Sequence, residues 1–229
     1  MDGQNWIIYV VIGIAFVGYM IWQWKHNKKK IEQFTKVAQQ RGWQYRSNDN
    51  SVIGRYQGDP FDNRGHTRRA RHVFTGQHRG RPFCCFEFSY KVRKNNTGNN
   101  SGSRNETYYY RIFAIATPAH RPTLQVTKEN VGTKMLDFVG VRDLQLESVE
   151  FNEKFKIKTD NDKFAYDVLH PRTMEWMLAD QRAQQIPIRF ERNELVTWQR
   201  GKFELEAMEP SLNYLCDFVE RVPEFVWKQ

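Results

Sequence analysis

The chain has 229 residues, 40 % hydrophobic and 14 % aromatic, which excludes a disordered, collagen-like or low-complexity chain. It is long enough for one globular domain with an appendage and too short for a multidomain enzyme. Its three cysteines include no C-x-x-C pair, so neither a disulfide framework nor a zinc ribbon is supported, and a net charge of +9 points to acidic partners.

Gly3 to Trp24 is a run of 22 residues without a charge, dominated by Ile7, Ile8, Val10, Val11, Ile12, Ile14, Phe16, Val17 and Ile21. As a helix rising about 1.5 Å per residue it would reach roughly 33 Å, enough for a hydrocarbon core of about 30 Å. Trp6 and Tyr9 at one end and Tyr19, Trp22 and Trp24 at the other suit an interfacial aromatic belt. The sequence therefore predicts a single transmembrane anchor over residues 1–30. Lys25, Lys28, Lys29 and Lys30 follow the span, against a lone Asp2 before it, which puts the N-terminus outside and residues 31–229 in the cytoplasm. The sequons at Asn95, Asn99 and Asn105 then read as part of a polar loop.

Ile31, Phe34 and Ala38 predict a juxtamembrane helix over residues 31–42, with Gly42 as its C-terminal cap. Period-2 patterning follows. Cys84, Phe86, Phe88, Tyr90 and Val92 alternate with Cys85, Glu87, Ser89 and Lys91, which predicts a half-buried strand paired with Arg69 to Thr75 across a turn from Gly76 to Gly80. The apolar-free stretch from Asn95 to Glu106 reads as a hairpin tip before a strand from Tyr108 to Thr117. Further strands are predicted at Phe155 to Lys158, Ile186 to Phe190, Glu194 to Gln199 and Phe203 to Glu206. One helix opens at Pro171 and another after Ser211, ending before Pro223. Grouped strands without βαβ alternation predict an α+β domain over 31–229 with a largely antiparallel sheet.

Glu147-Ser-Val-Glu-Phe-Asn-Glu-Lys-Phe-Lys-Ile, Thr159-Asp-Asn-Asp, Phe164-Ala-Tyr-Asp-Val-Leu-His-Pro, Met174-Glu-Trp-Met, Ile188-Arg-Phe and Phe203-Glu, with Gly54-Arg-Tyr-Gln-Gly-Asp-Pro-Phe and Gly80-Arg-Pro-Phe upstream, resemble an uncharacterised bacterial membrane-anchored family known only as a domain of unknown function. The resemblance spans residues 40–210. It implies a bacterial inner-membrane protein with a cytoplasmic α+β domain, and it carries no activity, cofactor or catalytic residue. Read physically, Phe151, Phe155 and Ile157 suit the inner face of a strand, and Asp160 to Asp162 suit a turn.

Charge is uneven along the chain. Residues 31–140 carry +10 and residues 141–229 carry −4. Arg64, Arg68, Arg69, Arg71, Arg79 and Arg81 lie between Asp62 and Glu87 with no acid among them. With Lys25 to Lys30 they form a candidate surface for anionic lipid or another anion. Nucleic acid is a weaker reading of the same arginines: Phe74, Tyr90, Tyr108, Tyr109 and Tyr110 could stack bases, but they fall largely on apolar strand faces and no recognition motif accompanies them. His66, His72 and His78 are spaced six apart among positive charges with no acidic or thiolate companion, so no metal site is expected. The Asp160-Asn-Asp162 start of a calcium loop lacks the required glycine and glutamate. No phosphate-binding or nucleophile-elbow signature is present, and no cofactor is expected. The sequence thus predicts a membrane-tethered interaction or scaffold module with an unknown protein partner. An enzyme with a dispersed site and a nucleic-acid-binding domain are the alternatives.

Overall fold

The computed structural model describes residues 5–61, 65–95, 103–129 and 140–228. The chain forms two compact units, one ending at Tyr45 and one beginning at Arg46. The first is essentially one helix, α1 (Asn5–Gln40). It ends where the sequence places its cap: Gly42 is left-handed (φ +68°), its amide donates to the Gln39 carbonyl at 3.2 Å, and the Trp43 amide reaches back to Ala38 at 2.8 Å. Phe34 meets Tyr45 edge-on with ring centroids 6.0 Å apart.

The predicted membrane span is not found. Among the described residues, no helix is long and apolar enough to cross a membrane. The predicted span began at Gly3, whereas described side chains begin at Tyr9, and a crossing length counted from Tyr9 already takes in Gln23, Lys25 and His26. The single-pass topology and inner-membrane location predicted from that span therefore have no support among the described residues. Apolar side chains of α1 from Tyr9 to Trp24 are exposed, Tyr9 by 73 % and Trp24 by 63 %.

The second unit is an α+β domain built on a seven-stranded sheet. Its strands are β1 (Gln44–Asn48), which straddles the unit boundary, β2 (His66–His78), β3 (Arg81–Asn95), β4 (Ser103–Lys128), β5 (Arg142–Leu144), β6 (Phe155–Thr159) and β7 (Ile188–Arg200). The order is β1-β2-β3-β4-β6-β5, with β7 along the other side of β4. The pairings β2–β3, β3–β4, β4–β6, β4–β7 and β5–β6 are all antiparallel.

β2 and β3 run longer than predicted and meet at a two-residue turn. Arg79 (φ +49°) and Gly80 (φ +76°) are both left-handed, the geometry whose twist matches a hairpin. β4 passes Pro118 and Pro122, which have no N–H for a ladder. Register shifts against β7 fall there, between Ala116 and Leu124, and separate the half of β4 that pairs with β3 from the half that pairs with β6.

Among the described residues four α-helices accompany the sheet: α2 (Val149–Lys154), α3 (Asp162–Val168), α4 (Pro171–Ala179) and α5 (Met208–Arg221). Ser148 and Asn161 cap the first two, their side chains accepting from the Phe151 and Phe164 amides. Phe151 is therefore a buried helix residue and not a strand residue.

Both faces of the sheet are covered. On one, Val52, Tyr56 and Phe61 from the segment after β1 pack on Phe86, Phe88, Ile112 and Val196. On the other, Phe203 stacks between Phe74 and Phe113, and α5 lies against β4 and β7. Double cover is why adjacent Cys84 and Cys85 are both buried, where alternation alone gives only opposite faces.

Candidate interaction surface

Side chains two apart on a strand share a face, and antiparallel register sets which of them lie abreast. Arg71, Glu87 and Arg111 form one row across β2, β3 and β4, and Arg69, Ser89 and Tyr109 the next. His66, Lys91 and Thr107 follow, then Arg93 and Asn105. All stand on the face that carries Phe74, Cys85 and Phe113, so the strands continue past the part covered by Phe203 and present a basic end.

The charges in these rows are not equivalent. Glu87 is 4 % exposed and accepts a hydrogen bond from the Phe203 amide at 2.9 Å, which directs its carboxylate into the protein. Arg111 is paired with Glu204 at 3.0 Å. Lys202 stands 5.4 Å over the Tyr109 ring. Among the described residues no ion pair holds Arg69, Arg71, Lys91 or Arg93, of which Arg69 and Arg93 are exposed.

The opposite face of the same strand end is aromatic. Tyr90 stacks on Tyr108 at 5.4 Å and on Tyr110 at 6.1 Å, and Arg200 lies 5.1 Å over Tyr108. Burial pushes the Tyr110 hydroxyl well above its ordinary pKa, with the neighbouring Tyr90 hydroxyl adding to the rise. Lys94 is ion-paired with Glu106 beside this ladder.

The structure divides the arginine run of the sequence. Arg68 donates to the Phe61 carbonyl, tying the segment that covers the aromatic face. Arg79 lies at the far turn, roughly 25 Å from Arg71 at about 3.3 Å per residue. There it makes ion pairs with Asp217 and Glu220 of α5, both at 2.6 Å. Arg81 flanks the same turn. Arg64 lies outside the described residues; of the predicted hairpin tip, Asn95 ends β3 and Ser103 to Glu106 open β4, while 96–102 lie outside the described residues. Of the α1 lysines, Lys28 is 4.0 Å from Glu32 and Lys30 stands 5.1 Å over Phe34.

Lys91, Arg93, Arg111 and Lys202 are the surface residues the sequence reading missed, and Tyr109, read there as a possible base-stacking ring, stands among them. Alternation along β3 already set Lys91 and Arg93 opposite Tyr90, and only the pairing with β2 and β4 brings them beside Arg69 and Arg71.

Other candidate chemistry is dispersed. His66 is an exposed strand residue, His72 occupies a left-handed bulge (φ +51°), and His78 meets Asn213 Oδ1 at 2.8 Å. An open depression of about 420 Å³ is lined by Tyr166, Asp167, His170, Arg172, Pro223 and Phe225. Within it His170 meets Thr173 Oγ1 at 3.1 Å, while Asp167 is engaged by Lys163 at 3.0 Å. Arg189, only 1 % exposed, binds Glu191 at 3.0 Å and the Asp59 carbonyl at 2.8 Å, and it stands 4.9 Å over Trp198. Its partners make it an anchor for the 57–61 segment.

No protein-family model and no curated protein matches the chain. Among solved structures, the fold is similar to the crystal structure of the mycobacterial trehalose monomycolate transport factor A, TtfA, with a TM-score of 0.56. The two share 11 % sequence identity over 83 % of this chain and 90 % of that one. At that identity the likeness is one of fold alone.

Proposed function

We propose that the chain works by binding another protein, with the basic end of the β2–β3–β4 sheet as its contact surface. The observation that carries this reading is the set of four cations, Arg69, Arg71, Lys91 and Arg93, lined up on one sheet face with no ion pair at any of them among the described residues. Holding like charges together costs electrostatic energy, and a partner of opposite sign removes that cost.

A photo-crosslinking residue placed at Thr107, which shares the basic face, tests the proposal in intact cells. A discrete protein adduct is expected there, absent when the probe is at Glu153 on α2, and lost when Arg69, Arg71, Lys91 and Arg93 are changed to Glu. Equal labelling from both positions, or no adduct from Thr107, overturns the proposal.

A further inference from the structure

Resting on that reading, we infer that the partner offers an acidic, extended polypeptide segment that lies across the rows of β2, β3 and β4. Three features lead to this class. The cations occupy successive rows: Arg71 in the first, Arg69 in the second, Lys91 in the third and Arg93 in the fourth. Same-face side chains along a strand repeat at roughly 6.6 Å, which is also the spacing of alternate side chains in an extended peptide, so carboxylates at every second position meet one row each. Arginine supplies three of the four positions, and its planar fork binds a carboxylate through two parallel hydrogen bonds. Beside the outer cations stand Thr107 and Asn105, neutral groups able to hydrogen-bond without adding charge, while Ser89 and the inward-directed Glu87 are buried beneath the inner rows.

Single-stranded nucleic acid shares the attraction for cations but also needs aromatic faces for its bases. Here the aromatics are used elsewhere. Tyr90, Tyr108 and Tyr110 stack on one another on the opposite face, Phe74 is buried against Phe203, and the Tyr109 ring has Lys202 over it. The basic face therefore fits a line of carboxylates better than a stack of bases.

The test uses the full chain and a fluorescein-labelled twelve-residue peptide alternating Glu and Ser, read by anisotropy, with a labelled oligothymidine in parallel. The peptide is expected to bind, and to weaken at least tenfold both in 0.5 M salt and in the quadruple variant Arg69→Glu, Arg71→Glu, Lys91→Glu, Arg93→Glu. A second quadruple variant, Lys154→Glu, Lys163→Glu, Arg172→Glu, Lys228→Glu, changes net charge equally at exposed sites elsewhere and should bind within twofold of the parent. Circular dichroism checks that each variant folds. The milder pair Arg69→Gln and Arg93→Gln, expected to weaken binding about threefold, replaces the first variant if it does not. Equal loss in both quadruple variants overturns the inference, because net charge then explains the binding. Tenfold tighter binding of oligothymidine overturns it in favour of nucleic acid. Absence of peptide binding overturns it as well, and a Thr107 adduct that persists in cells would then leave the docking reading standing with a different partner chemistry.

Discussion

Phe203 joins the core to the candidate surface through a single side chain. It is fully buried, with ring centroids 5.5 Å from Phe74 and 5.9 Å from Phe113, and its amide is bound by Glu87 in the first row of the basic face. Phe203→Ala should cost about 3–5 kcal/mol, the range for emptying a buried aromatic site. Glu87→Ala should cost about 1–3 kcal/mol, because it leaves a buried amide without its acceptor. The two share one site, so the double variant should lose less than the sum. Urea unfolding checks all three, with the midpoint moving at constant slope. Arg189 follows a different rule: Arg189→Met should cost about 3–5 kcal/mol, because it strands the Glu191 carboxylate, which burial already pushes above its ordinary pKa. Arg189→Met with Glu191→Gln should recover part of that loss in the same assay.

At the scale of elements, α5 is held to the β2–β3 turn by charge. Arg79 and Arg182 both reach Asp217, at 2.6 and 2.9 Å, and Arg182 also binds Asp180 at 2.6 Å. The Arg182 hydrogen bond holds Asp180 below the ordinary aspartate range. Burial works against Asp217, but hydrogen bonds from Arg79 and Arg182 outweigh it and lower that group too. A carboxyl with a depressed folded pKa takes up protons less readily folded than unfolded. Its stabilisation is full above the ordinary aspartate value of about 4 and disappears as pH falls through the folded value. Arg79 and Arg182 are 38 % and 36 % exposed, so solvent screening limits the contribution to about 1 kcal/mol. Asp217→Asn should lower the melting temperature by about 2–4 °C at pH 7. That difference should close below about pH 4, and a gap that persists in acid would show that the charge pairs are not its source. Local signals made some elements legible beforehand: Gly42 after α1, Pro171 opening α4, and the β6 segment all sit where spacing and composition put them. Other elements depended on distant contacts. Phe203 reads as a strand start yet plugs the sheet, and two prolines hide the continuation of β4. The contiguous arginines of β2 look like one patch, but an extended strand carries Arg79 to the far turn, where α5 neutralises it.

For the β-domain as a whole, the question is whether its two covering layers open together. The three cysteines sample both of them. Cys84 belongs to the cluster formed with Val52, Tyr56 and Phe61, Cys85 faces the Phe203 side, and Cys216 lies in α5. Burial pushes the Cys84 thiol up to about 12, raises Cys85 well above its ordinary value, and raises Cys216 as well. Thiolate is the reactive form, so burial and raised pKa both oppose labelling of the native protein. At pH 8 a maleimide should therefore modify none of the three until the protein opens. The sheet is common to both layers, and β4 lies in its interior with β3 and β6 on one side and β7 on the other. Losing either layer exposes that shared sheet, so the layers should fail as one cooperative unit. Mass spectrometry of adducts across a urea series should place all three cysteines on one transition, with a midpoint matching circular dichroism. Earlier labelling of Cys216 alone would mean that α5 detaches as its own unit, and that the ion pairs at the β2–β3 turn, rather than the shared sheet, set the stability of that side.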